Sequence, residues 1–147
     1  MGYQTFITHG YGICVDNIDT TPERLLDLAS LNAKTYKEVR DYLDKKFDGN
    51  YNDEDLTMDD FYDLEGDYCE TGLAYVLYHV IDELELCVSQ DYNGTWYLLF
   101  VATYPWYLKE HEKSYSEEDV ANVFRKYVQV LTPKAINIDY YAVENGC

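Results

Sequence analysis

Apolar positions along this 147-residue chain change period several times, and each change marks an element. The stretch "YQTFITHGYGICV" holds two short β-prone runs, residues 3–8 and 11–15, which predict a hairpin turning at His9-Gly10. Thr20 and Glu23 form a capping box with Pro22 in the first turn, opening a helix to about Leu31. A second box, Thr35 with Glu38, opens "YKEVRDYLDKKF", where Tyr36, Val39, Leu43 and Phe47 share one face. A short helical candidate follows Thr57, and Leu73, Val76, Leu77, Val80, Ile81 and Leu84 then repeat at steps of three and four, predicting a helix over about 72–84.

Two strand-like segments follow, "ELCVSQDY" and "TWYLLFVA", separated by Asn93-Gly94, a dipeptide that tolerates the positive φ angles of a tight turn. The unbroken apolar run Leu98 to Ala102 reads as a strand covered on both faces. Ser116 and Asp119 then cap a helix whose core stripe is Val120, Val123, Phe124, Tyr127, Val128 and Leu131, stopped by Pro133. In "AINIDYYAV", Ile136, Ile138, Tyr140 and Ala142 alternate with Asn137, Asp139, Tyr141 and Val143, the pattern of a closing half-buried strand. The order β-β-α-α-α-α-β-β-α-β predicts one α+β domain spanning residues 1–147, with about five largely antiparallel strands and helices packed against them. At this length and 47% apolar content, one domain can bury a real core.

Charge changes the picture more than composition does. There are 28 Asp and Glu against 11 Lys and Arg, a net of −17, yet 17 Tyr, five Phe and two Trp argue against disorder. Between Lys46 and Lys109 lie 14 carboxylates and no Lys or Arg; the other 14 face all 11 basic residues, leaving −3 there against −14 in the middle. The densest part is "NYNDEDLTMDDFYDLEGDY", residues 50–68, with eight carboxylates. Such a surface repels nucleic acid and anionic membrane and attracts basic partners.

Sequence signatures for chemistry are sparse. Gly10-Tyr11-Gly12 lacks the further glycines and following helix of a phosphate loop, so the glycines read as turn formers. Asp48, Asn50 and Asn52 match the first three ligand positions of a calcium loop, but Asp53 stands where Gly is needed and Asp59 where a bidentate Glu is needed. His9, His79 and His111 lack HxxxH spacing and are expected to be surface or satisfied histidines. Cys14, Cys69, Cys87 and Cys147 include no CxxC pair and read as incidental or buried thiols. Catalytic residues, metal ligands and cofactors are therefore expected to be none. The N-terminal residues lack a secretory pattern, Phe6 breaks the myristoylation pattern, and no apolar run reaches the ~18 residues of a membrane helix, so a cytoplasmic protein is expected.

Charge, size and aromatic content, though no motif, give the chain a resemblance to the small acidic inhibitors encoded by phages and mobile elements, the DNA-mimic anti-restriction and anti-CRISPR proteins. This resemblance implies a non-enzymatic protein that occupies a basic, nucleic-acid-binding protein surface. Its expected partner-binding residues are Asp53, Glu54, Asp55, Asp59, Asp60, Phe61, Tyr62, Asp63, Glu65, Asp67 and Tyr68, with the aromatics, Tyr51 included, as short-range anchors among the charges. If helical, residues 53–67 would carry a carboxylate every ~3 Å, near the ~3.4 Å phosphate spacing of one DNA strand. The alternatives are an acidic adaptor or housekeeping protein, a degenerate calcium module, or a functional surface at Tyr104-Pro105-Trp106-Tyr107.

Overall fold

A computed structural model describes residues 5–101 and 116–146. Its elements are β1 (Thr5–Cys14), α1 (Pro22–Ala29), α2 (Ala33–Phe47), α3 (Gly72–Val80), β2 (Leu86–Gln90), β3 (Trp96–Phe100), α4 (Glu117–Leu131) and β4 (Asp139–Gly146). The class is α+β, as expected, but the described sheet has four strands, in the order β2-β3-β1-β4, with every neighbouring pair antiparallel.

The missing strand is the expected N-terminal hairpin, which is instead one continuous strand. His9 and Gly10 do not turn; they pair with Ala142 and Tyr141 of β4, and Tyr11 to Cys14 pair on the other side with Phe100 to Tyr97 of β3. Glycine serves close approach here. A Cβ on Gly12 would lie 1.9 Å from the Leu98 carbonyl oxygen, and one on Gly10 would lie 2.7 Å from the Leu99 Cβ. Bare of side chains, these positions also let Tyr97 of β3 and Tyr141 of β4 meet across β1, with ring centroids 5.2 Å apart. The sheet curls enough for its two edge strands, β2 and β4, to come into contact.

One face of the sheet carries Ile13, Leu98 and Phe100 into the main core, where they meet Leu25 and Leu28 of α1, Val76, Leu77 and Val80 of α3, and Phe124, Val128 and Leu131 of α4. Helix α2 packs outside, against α1 and α3. On the opposite face Leu99, Val143, Ser89 and Cys14 are buried as well, so β3 is covered on both sides as its apolar run predicts.

Several boundaries move for local reasons. Thr21, not Thr20, caps α1, accepting from the Arg24 N–H at 3.4 Å, while the Thr20 hydroxyl donates to the Leu131 carbonyl at 2.7 Å and ties α1 to the end of α4. Helix α1 ends at Ala29, leaving Leu31 exposed. Asn32 caps α2 through the Thr35 N–H, and Thr35 itself is buried in the first turn. Helix α3 stops at Val80 because Ile81 is extended, although Ile81 and Leu84 continue the buried stripe. The β2–β3 connection turns at Gly94 (φ +84) with Asp91 accepting from both the Asn93 and Thr95 N–H groups. The Ser116–Asp119 capping box on α4 is as expected. Before β4, Ile136 and Ile138 pack against the core; within it Val143 is buried while Tyr140 and Ala142 are exposed, so the alternation changes phase where the strand begins. The Tyr104–Tyr107 run, His111, Ala102 and Cys147 lie outside the described residues.

This geometry predicts that Gly12→Ala costs about 1–3 kcal/mol, the range for forcing an extra group into a packed strand. Thermal unfolding checks it, and an unchanged midpoint would refute the close approach at Gly12.

Candidate functional site

The acidic segment starts where α2 ends. Asp48 and Gly49 both take positive φ (52° and 76°), the left-handed termination of a helix, and the Gly49 N–H returns to the Asp44 carbonyl at 2.9 Å. Asp48, the first residue of the stretch that resembles a calcium loop, thus serves as a helix stop, and Asn52 begins the next turn. Among the described residues no three His, Cys, Asp or Glu side chains converge to hold a metal ion.

Arg40 of α2 then clamps the chain. Its guanidinium donates to both oxygens of Asp53 at 2.7 and 2.8 Å, to the Tyr51 hydroxyl at 3.1 Å and to the Tyr36 hydroxyl at 3.1 Å, and it lies over the Tyr36 ring. These hydrogen bonds hold the Asp53 carboxyl below its ordinary pKa. Two short 3-10 turns follow, Asp53–Asp55 and Met58–Phe61, so the regular charge spacing of a continuous helix does not occur. The Asp60 carboxylate accepts from the Thr57 N–H at 2.7 Å, and the Asp60 carbonyl accepts from the Tyr42 hydroxyl and the Lys46 ammonium. Leu56, Phe61 and Leu64 are buried in the core.

The eleven expected contact residues therefore divide. Glu54, Asp55, Asp59, Tyr62, Asp63, Glu65, Asp67 and Tyr68 are exposed; Asp53 is exposed but paired, and Asp60 is half-buried and occupied as a cap. Phe61 is fully buried and is withdrawn as a surface anchor. Tyr51 is half-buried against Phe47, ring centroids 5.8 Å apart. The signal for this division was present in the sequence: Leu56, Phe61 and Leu64 are apolar interruptions in an otherwise polar run, and such positions in a folded chain seek the core.

Sequence reasoning missed the loop that closes the segment. Glu70 is completely buried, with one carboxylate oxygen accepting from the Tyr68 N–H at 2.9 Å and the other 3.1 Å from His79 Nε2. A Cβ on Gly66 would lie 1.9 Å from that second oxygen, so only glycine leaves it room. Backbone bonds between Gly66 and Glu70, and between Gly72 and Leu64, zip the loop shut. The His79 ring stacks on Tyr75 (4.3 Å) and meets Tyr78 edge-on (5.3 Å), and Tyr78 in turn meets Tyr68. Tyr75 donates to Glu38 at 2.6 Å; burial first, and that carboxylate second, push its hydroxyl pKa up. His79 is thus a satisfied histidine, and among the described residues no hydroxyl or thiol is hydrogen-bonded to its ring.

The arrangement is a backbone anchored by buried side chains, with most of its carboxylates facing outward. No known protein family, curated protein or solved structure matches the chain.

Two outcomes are expected. Because the Asp53 pKa is lowered from 3.8, its pairing with Arg40 stabilises the fold above that value and is lost as the pH falls below it. Arg40→Gln should therefore cost no more than about 1 kcal/mol at neutral pH, the range for exposed pairs, and flatten the acid limb of a stability–pH curve. Calcium titration followed by calorimetry should reveal no saturable site tighter than about 1 mM, the weak end for such loops.

Proposed function

We propose that the protein is a non-enzymatic binding protein that occupies a basic, nucleic-acid-binding surface of a partner protein, in the manner of a DNA mimic. The observation that carries this reading is the division of the acidic segment into buried anchors and outward charges. Leu56, Phe61 and Leu64 hold the backbone to the core while Glu54, Asp55, Asp59, Asp63, Glu65 and Asp67 face solvent. A loop whose charges serve solubility alone has no need of fixed positions. A surface that competes with a nucleic acid gains from them, because preorganised charges lose less conformational freedom on binding. Tyr62 and Tyr68, 73% and 65% exposed, stand among those charges as large apolar groups with polar tips.

The same sign of charge argues against direct contact with DNA, RNA or an anionic membrane, and no described helix is long and apolar enough to cross a membrane.

The test neutralises exposed carboxylates of the segment, of which only Asp63 has an ion-pair partner among the described residues, Lys46 at 4.0 Å: Glu54→Gln with Asp55→Asn, Asp59→Asn, Asp63→Asn and Asp67→Asn. The thermal midpoint should stay level or rise, since like charges are removed and Asp53 and Asp60 keep their bonds. Capture from nuclease-treated host lysate should recover a basic nucleic-acid-binding protein with the parent chain, and duplex DNA should compete with that complex. The neutralised chain should bind the same partner at least about tenfold more weakly, with a shallower salt dependence. Equal affinity at every salt concentration, or no competition by nucleic acid, would overturn the reading.

A further inference from the structure

Between the acidic segment and the β2–β3 hairpin runs a groove of about 430 Å³. Met58 and Tyr62 of the acidic segment, Leu73 at the start of α3, and Gln90 and Trp96 of the hairpin line it, with Asp16 beside Trp96. We infer that this groove receives an arginine side chain of the basic partner, its guanidinium stacked on the aromatic walls and paired with Asp16. The inference deepens the basic-partner reading and takes from it the origin of the arginine.

Three features define the occupant. Within a lining that mixes polar and apolar groups, Met58 and Leu73 suit the methylene stem and Tyr62 and Trp96 the flat face of a guanidinium, which stacks on indole and phenol rings more readily than a compact ammonium does. Asp16 supplies the countercharge: it is exposed, among the described residues it enters no ion pair, and desolvation by its neighbours, with the nearby charge of Asp91, pushes its carboxyl pKa up against the lowering effect of the Trp96 backbone N–H. A cation placed there offsets the repulsion from Asp91 and compensates the carboxylate's desolvation by direct attraction. The third feature sets the position. The N-terminus of α3 opens on the same groove at Gly72 and Leu73, and Thr71 gives it no side-chain cap. Its partial positive charge repels a cation at that end, which leaves the Asp16 end for the guanidinium.

The experiment titrates the full isotope-labelled chain with the blocked tripeptide Gly-Arg-Gly at low salt, beside its lysine and citrulline counterparts, and follows amide and indole resonances. The arginine peptide should shift the Trp96 indole together with Asp16 and Tyr62. The lysine peptide should bind at least about threefold more weakly, because it lacks the planar fork. Citrulline, which keeps the shape without the charge, should give no saturable shift. Asp16→Asn should weaken the arginine peptide at least about tenfold while leaving the thermal midpoint in place, as expected for loss of a charge-assisted bond at an exposed edge. Unchanged affinity in Asp16→Asn, equal binding of citrulline, or shifts spread over residues 53–67 without Trp96 would each overturn the inference. The five-residue neutralised variant separates the two proposals. If it keeps the Trp96 shift but still binds the captured partner at full strength, the acidic surface is refuted and the groove stands. If it loses the partner while Asp16→Asn has no effect on the arginine peptide, the groove is refuted and the acidic surface stands.

Discussion

Fourteen carboxylates with no Lys or Arg among them can be carried by a folded chain if nearly all of their charges stay in water, and the burial of Leu56, Phe61 and Leu64 makes the backbone comply. The magnitudes favour the anchors. Each fully buried large apolar side chain contributes about 1.5–3 kcal/mol. Two like charges roughly 7 Å apart in water oppose each other by only about 0.6 kcal/mol, and less in salt. Three buried side chains therefore outweigh the repulsion along a short acidic segment, and the sides of the backbone left facing outward are those that carry Glu54, Asp55, Asp59 and Asp63.

Glu70 is the exception that shows how strict the rule is. It is the one fully buried carboxylate among the described residues, and it is satisfied on both oxygens, by a backbone N–H and by a histidine. A buried carboxylate without partners would be far more costly than a surface one. The loop around it is shaped accordingly: Gly66 leaves space, Cys69 takes a positive φ of 64°, and the backbone closes on itself between Leu64 and Gly72. The start of the acidic segment is held by Arg40 and its end by this loop, so a run that composition alone would assign to mobile surface is held at both ends and in the middle.

The curled sheet gives those contacts a frame. Because β1 carries glycine at positions 10 and 12, β3 and β4 come together over it through Tyr97 and Tyr141, while its other face offers Ile13 and Tyr11 to the helices. Helix α3, packed on β2 and β3, sets where Glu70 and His79 meet, and the β2–β3 hairpin supplies Trp96 to the groove that Tyr62 also lines. The candidate binding face is thus a by-product of core packing from three separate parts of the chain.

What the sequence determines by itself is whatever short-range chemistry settles. The α4 helix is legible in full, since Ser116 and Asp119 make its cap within one turn and its stripe repeats without interruption. The apolar run of β3 and the glycine turn before it are legible for the same reason, as is the acidic character of residues 50–68. Tertiary structure decides what depends on distant neighbours. A glycine serves a turn and a close strand approach equally well, and the presence of β3 on one side and β4 on the other makes Gly10 and Gly12 the latter. Thr20 and Thr21 are equivalent caps until the end of α4 claims the Thr20 hydroxyl. Phe61 is an aromatic among acids in the sequence and a core residue in the fold, and Glu70 is one acid among fourteen until His79 and the space above Gly66 receive it. Burial is a property of what surrounds a residue, and for these positions the surroundings arrive from elsewhere in the chain.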